Sequence, residues 1–471
     1  MREYSIKNWE KAISDIAKIA VEKKYAERFR LEYFQLISNH TSATKSLENA
    51  LLHWLSFFNI YRHLITNQLF AKRIKLTDYK HVIFISTNPS FIKTVSPIIN
   101  LLLERGEKPL ILCGGNHYKT LKKILPQSIF QHTHICESIF IANKLSSFLK
   151  LLAAPFLAVK DAGWFAFQPV EKAVSCSSNF ARYALVHHYF SKSLTSQFNE
   201  KKYTIIGAVD YWFWESLLFT TARATQSKSI VLQHGKLSDL YYPLFAKEFY
   251  AWGEADYVEM TEKYLAKPEE IVKAGSPYFD NLYEKILERN PIQKDYKKKN
   301  VVFFAQPYGE HKSMSPEYYA EVLGWINSLK NNFPDCNISL KLHPFDKTEF
   351  YEKYLGDITI NNGNLLDILL ETDILLTVDS TTALEAAVAK IPAIQCLPNK
   401  QTVYSDMSST GLTLKAQTFE ELTNLIDKLL HDKAFFEQTI YASSKALNYY
   451  FYNLGHSIDR IAELLELEKS K

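Results

Sequence analysis

Residues 230–235 read Ile-Val-Leu-Gln-His-Gly, and residues 338–344 read Ile-Ser-Leu-Lys-Leu-His-Pro. Each apolar run ends in a histidine beside a residue able to turn the chain, so each imidazole is expected at the carboxyl end of a buried strand. An imidazole titrates near neutrality and can take a proton from a hydroxyl, which is the chemistry expected of His234. Gln233 and Gly235 flank it, and the glycine would admit an unusual backbone angle or a closely approaching ligand. Pro344 forces His343 out of helical geometry and fixes where its ring points, while Lys341 falls on the same strand face. That pair suits a phosphate. The plainer alternative for either histidine is a loop hydrogen bond or a strand cap.

A third group, Thr377-Val-Asp379-Ser380-Thr381-Thr382-Ala-Leu-Glu385, packs hydroxyls between a strand and the first turn of a helix. Side-chain donors, free backbone N–H groups and the helix dipole together favour an anion there, so Ser380, Thr381 and Thr382 are expected to seat a phosphate. Glu385 either accepts from ribose hydroxyls or completes the helix cap. Gln306-Pro-Tyr-Gly309 follows another strand, where the glycine loop is expected to approach a nucleotide, and Gly275-Ser276-Pro-Tyr-Phe-Asp280 closes the last strand of the first half. The sequence holds no Asp-x-Asp, no G-x-x-x-x-G-K, no G-x-G-x-x-G and no His-Glu-x-x-His. Leaving-group charge is therefore expected to be met by protein groups, with no metal and no cofactor.

The elements that must position these groups alternate in pattern. Strands are expected at 81–86, 109–113, 204–209, 229–233, 248–252 and 271–274, then at 301–305, 338–342, 358–360, 374–378 and 393–396. Helices are expected at 92–104, 212–224, 316–331, 365–371 and 381–389, and from Phe419 almost to the end. Residues 120–200 resist parsing and are read as helices and long loops. The charged run before Asn300 marks a boundary, giving an N-terminal helical extension over 1–76, an α/β domain over 77–290 and a second over 291–471 with terminal helices. Two histidines from two α/β halves suggest one site across a cleft, since ligands of such sheets bind at the carboxyl edge.

Composition excludes other classes. The chain has 471 residues, 47% hydrophobic, and a net charge of +4, too weak to imply a nucleic-acid ligand. Five dispersed cysteines, an odd number with no C-x-x-C, fit a reducing cytoplasm better than a disulfide framework or thiolate zinc site. The charged N-terminus argues against a secretory signal. The longest apolar stretch, Leu151–Val159, contains Pro155 and is too short to span a bilayer. Leu151–Phe167, with Trp164 and Phe165, is read either as a buried segment or as an apolar lip for a lipid-linked acceptor or a membrane surface.

Gln233-His234-Gly235, Gly275-Ser-Pro-x-Phe-Asp280, Lys341-Leu-His-Pro344 and Asp379-Ser-Thr381 together resemble GT-B-fold transferases that build bacterial surface polysaccharides. The likeness is to the capsule-type and CDP-glycerol glycerophosphotransferase-type groups and runs from about residue 80 to about 465. It implies an α/β, GT-B fold of two Rossmann-like domains facing a cleft, an acceptor domain first and a nucleotide-donor domain second. It makes His234 the base, His343 a donor-phosphate ligand, and Ser380 and Thr381 further phosphate contacts. Sialyltransferases also carry a His-Pro pair and a hydroxyl-rich turn, but Gln233-His234 stands where they have an acidic pair. Glycerophosphotransferases have a tryptophan before the histidine-glycine.

The function expected is a metal-independent, inverting glycosyltransferase. Its co-substrate would be a CMP- or UDP-linked sugar and its acceptor a growing or lipid-linked glycan, at the inner face of the cytoplasmic membrane. A CDP-alditol phosphotransferase, a nucleotide-sugar epimerase and a non-catalytic glycan-binding subunit remain alternatives.

Overall fold

The computed structural model of the chain describes residues 43–70, 74–139, 145–167, 173–210, 213–237, 241, 244–288, 299–306, 316–343, 346–398 and 406–467. Among them, thirteen strands form two sheets. The first comprises β1 (His81–Phe84), β2 (Leu110–Cys113), β3 (Thr133–Ile135), β4 (Thr204–Gly207), β5 (Lys228–Leu232), β6 (Glu248–Ala251) and β7 (Ile271–Lys273), in the order β3-β2-β1-β4-β5-β6-β7. The second comprises β8 (Lys299–Phe304), β9 (Cys336–Lys341), β10 (Thr359–Asn361), β11 (Ile374–Thr377), β12 (Ala393–Cys396) and β13 (Leu414–Ala416), in the order β10-β9-β8-β11-β12-β13. Pairing is parallel from β3 through β6 and throughout the second sheet. Both are doubly wound sheets whose strand order reverses once, between β1 and β4 and between β8 and β11.

The strands form where apolar residues run continuously, because a parallel strand is buried on both faces. In β8 the alternation of side chains splits the run: Val301 and Phe303 enter one core, Val302 and Phe304 the other. Two short edge strands, β3 and β13, escape sequence reading because three residues that mix polar and apolar types give no periodic signal. The helices used below are α1 (Ala43–Phe70), α2 (Pro89–Glu104), α3 (Leu145–Ala166), α4 (Ala173–Glu200), α5 (Phe213–Ala224), α6 (Pro277–Glu288) and α7 (Thr382–Val388). The stretch that resisted parsing is largely α3 and α4, and α3 continues through Pro155. Of the expected N-terminal helices, only α1 lies within the described residues.

Contacts divide the chain into two compact units. One holds the described residues of 252–256 and 273–460; the other holds those of 2–251, 257–272 and 461–467. Gly275–Asp280, expected to close the first half, therefore belongs with the second sheet. The reason is a buried carboxylate. Asp280 accepts from the Gly455 and Ser457 backbone N–H groups at 2.7 and 2.6 Å and from the Ser457 hydroxyl at 2.9 Å, and Ser457 Oγ accepts from the Ser276 N–H at 2.8 Å. Phe279 adds ring contacts with Trp252 and Phe451.

Gly275 has φ +79°, and a Cβ there would fall on the Ser457 hydroxyl and the Tyr452 carbonyl. Gly275→Ala is expected to cost roughly 2–5 kcal/mol, combining backbone strain with overpacking. Gly324→Ala, in a helix with open space around the position, should leave stability unchanged or raise it slightly. Urea unfolding of the two variants checks the contrast; equal stabilities would remove the steric account.

Candidate functional site

In the first sheet, the loops after β1, β4 and β5 leave from neighbouring strand ends. His234, two residues beyond β5, is half-buried and stands edge-on to Phe91 of α2, with ring centroids 4.4 Å apart. Its Nδ1 lies 2.8 Å from the Ala208 carbonyl, which follows β4. A carbonyl only accepts, so Nδ1 carries the proton and Nε2 keeps the lone pair. The Tyr241 hydroxyl lies 2.8 Å from Nδ1 and 3.3 Å from Nε2. Burial lowers the imidazole pKa from 6.5 to about 4, against the opposing pull of the Ala208 carbonyl. His234 is thus a neutral base at physiological pH. Gln233 is buried and its side-chain amide donates to the Gly235 carbonyl at 3.0 Å, bracing the turn. Gly235 does not have the positive φ that its type allows, and a Cβ there would meet nothing within 4 Å.

The same sheet edge carries residues that motif reading passed over. Asp210 is buried and accepts from the Phe245 and Ala246 N–H groups at 2.6 and 2.8 Å. Glu215, in the first turn of α5, is buried, and desolvation with the nearby Asp210 pushes its carboxyl pKa up to about 8. Thr87 Oγ1 lies 3.0 Å from His117 Nδ1, at the ends of β1 and β2. The available signal was an acid pair bracketing an aromatic run just beyond a strand, Asp210-Tyr-Trp-Phe-Trp-Glu215.

In the second sheet, the hydroxyl turn follows β11 and Gln306 follows β8, on the two strands where the order reverses. Thr377 Oγ1 donates to the Phe304 carbonyl at 3.2 Å, locking the turn to β8. Ser380 Oγ accepts the Thr382 N–H at 3.3 Å, whereas Thr381 makes no side-chain cap. Ser380 thus caps the helix start, whereas Thr381 has a backbone that is already helical, with φ −58° and ψ −17°. The Thr382 hydroxyl is buried with no hydrogen-bond partner. Asp379 is buried in the turn, and Gln395 of β12 pins it by donating to the Val378 carbonyl at 2.7 Å. Gln395 also accepts from the Met407 N–H and the Thr413 hydroxyl.

Glu385 is buried in α7 and accepts from the Tyr278 hydroxyl at 3.1 Å, which burial and that carboxylate make harder to ionise. Its carboxylate is held by α6, which packs on α7. Lys341 closes β9, buried; its ammonium donates to the Leu342 carbonyl at 2.7 Å, and desolvation lowers its pKa. His343 is half-buried, and its carbonyl accepts the Asp346 N–H at 3.0 Å. The Gln306 carbonyl accepts from the Tyr351 hydroxyl at 3.1 Å. Gly309 lies outside the described residues. Gly275 and Ser276 serve the Asp280 network rather than presenting free groups.

The buried Glu215 makes stability depend on pH. Between about 4.5 and 8 the folded chain keeps a proton that the unfolded chain releases, so stability falls as pH rises through that window. Glu215→Gln removes the group, and its melting temperature should vary less between pH 5 and 8 than that of the parent. Parallel curves would mean that Glu215 is ionised at neutral pH.

The family described as CDP-glycerol:poly(glycerophosphate) glycerophosphotransferase matches residues 254–467. That span contains the quoted motifs at 275–280, 341–344 and 379–385 and excludes Gln233-His234-Gly235. No curated protein matches the chain. Among solved structures, the Staphylococcus aureus MnaA–UDP complex is similar at TM-score 0.50 and 15% identity, covering 83% of this chain and 98% of that one. The UDP-GlcNAc 2-epimerase of Neisseria meningitidis bound to UDP-GlcNAc is similar at 0.51 and 13%, covering 83% and 100%. That of Methanocaldococcus jannaschii in complex with UDP-GlcNAc and UDP is similar at 0.51 and 14%, with the same coverage. At such identities the likeness is one of fold. The chain has the α/β, GT-B type of fold, and from 254 to 467 it carries the likeness to CDP-glycerol:poly(glycerophosphate) glycerophosphotransferases that its motifs suggested.

Proposed function

We propose that the protein transfers a group from a nucleotide-activated donor to a hydroxyl of a bacterial surface polysaccharide or its lipid-linked precursor, without a metal. The observation that carries this reading is the state of His234. Its Nδ1–H is engaged by the Ala208 carbonyl, leaving Nε2 as an uncharged base at the end of a parallel strand. His343, Lys341, Ser380, Thr381 and Thr382 would stabilise charge on the departing phosphate, where the unpartnered Thr382 hydroxyl supports a ligand. Glu385 would take ribose hydroxyls, with Gln306 and Gly309 beside the nucleotide. An acceptor carried on lipid would bring the protein to the cytoplasmic membrane face.

Glycosyl transfer is the reading of the motifs, and the family match over 254–467 favours a second, the transfer of alditol phosphate from a CDP-linked donor. The two make different bonds. Glycosyl transfer adds only the sugar to the acceptor, whereas the second reaction adds a phosphodiester, so the product mass separates them.

Titration calorimetry with CMP, CDP and UDP names the donor base; a chain that binds none of them is no nucleotide-dependent transferase. His234→Ala and His343→Ala should each lower kcat on the order of 10²–10³-fold. Near-wild-type transfer by both ends the mechanism. Turnover should persist in EDTA. The acid limb of kcat/KM should fall through about pH 4 rather than 6.5, because the lowered pKa keeps His234 unprotonated down to that range.

A further inference from the structure

Tyr241 is buried, and the hydroxyl of a buried tyrosine needs a partner. One is the His234 imidazole: the ring centroids lie 5.3 Å apart, and the hydroxyl stands 2.8 Å from Nδ1 and 3.3 Å from Nε2. The Ala208 carbonyl takes the Nδ1 proton, so the lone pair that the neutral ring leaves for the phenol to donate to is the one on Nε2. Once Nε2 has accepted a proton, both nitrogens are donors and the phenol oxygen can only accept. A hydroxyl makes that change of role by turning its own proton. A phenylalanine could serve neither state.

A clamp on the segment just after Tyr241 delivers the ring. Asp210 accepts from the Phe245 and Ala246 N–H groups at 2.6 and 2.8 Å, and the Arg223 guanidinium of α5 donates to the Leu244 and Ala246 carbonyls at 3.2 and 2.6 Å. Two side chains of opposite sign thus hold four backbone groups within residues 244–246. Arg223 is held in turn by the carboxylate of Glu270, which precedes β7. On the ring itself, Phe249 of β6 packs with centroids 5.4 Å apart and planes at 81°. Backbone and rotamer are therefore fixed during folding, and the imidazole meets a hydroxyl that is already in place.

We propose that Tyr241 is a positioning residue for His234, its hydroxyl holding the imidazole against the Ala208 carbonyl before and after proton transfer, with Asp210 and Arg223 fixing the segment that carries it. This role rests on the reading of His234 as the base. It also gives the buried Asp210 carboxylate a use beyond loop structure, since it acts on the base through the backbone of 245–246 and Tyr241.

The test follows the His234 Nδ1 proton by NMR of the full chain carrying isotope-labelled histidine, with no substrate present; His234→Ala assigns its resonance. Tyr241→Phe, which keeps the ring, should speed exchange of that proton with water roughly tenfold, the weight of one hydrogen bond. Tyr203→Phe makes the same change at a buried hydroxyl that has no hydrogen-bond partner among the described residues, and should leave the exchange as it is. Arg223→Gln should move it the same way as Tyr241→Phe by a smaller factor. Exchange that Tyr241→Phe leaves at the parent rate, or that Tyr203→Phe speeds equally, overturns the proposal; an unmoved Arg223→Gln overturns the part given to the clamp. Turnover, read as release of CMP, CDP or UDP from the corresponding donor, separates this role from the reading beneath it. Tyr241→Phe should lower kcat roughly tenfold with KM unchanged, as misorientation of the base would. If His234→Ala is slow while Tyr241→Phe runs at the parent rate, the positioning role fails alone. If both run at the parent rate, the assignment of His234 as base fails and takes the role with it.

Discussion

Parallel strand pairing is the constraint from which the rest follows. Strands that run the same way cannot be joined by tight turns, so each connection crosses back over the sheet and every strand-to-helix turn falls at one edge. In the first sheet that edge gathers Thr87, Ala208, Asp210 and His234; in the second it gathers Gln306, His343 and the hydroxyl turn. Strand order reverses between β1 and β4 and between β8 and β11, the position at which sheets of this kind bind their ligands. None of these residues was brought to its edge by its own chemistry; each follows its strand.

Burial at those edges then tunes the groups. Desolvation opposes charge, so it keeps the His234 imidazole neutral and the Glu215 carboxyl protonated, and it weakens the hold of Lys341 on its proton. Backbone carbonyls and amides do the orienting. Ala208 selects the His234 tautomer, Leu342 receives the Lys341 ammonium, and two N–H groups hold Asp210. A buried polar group left without such a partner costs about 1–3 kcal/mol, which is why the Thr382 hydroxyl stands out among its neighbours.

Structural networks and site networks use the same residue types. Asp280 and Asp210 are both buried carboxylates accepting paired backbone N–H groups, but Asp280 joins α6 to the turn at 455–457 while Asp210 shapes a loop at the carboxyl edge of the first sheet. Residue type alone does not separate the two roles; the segment each group ties down does. The helices beyond the first sheet follow a third logic, in which small residues and the Asp161–His188 contact make the interior and large apolar side chains the exterior.

Much of this was legible in the sequence. Continuous apolar runs located eleven of the described strands, because strands buried on both faces need them, and the turn residues at 234–235 and 343–344 placed both histidines at strand ends. The hydroxyl cluster at 377–382 announced its turn for the same local reason. The short strands β3 and β13 were not legible, since their pairing comes from neighbouring strands rather than from their own pattern. Nor was the grouping of Gly275–Asp280 with the second sheet, which rests on a carboxylate meeting backbone N–H groups some 175 residues away. The His234 tautomer, the proton on Glu215 and the outward face of α3 share that origin. Periodicity and spacing are properties of a local segment, whereas desolvation and hydrogen-bond partners belong to whatever distant segments fold against it, and only tertiary structure decides those.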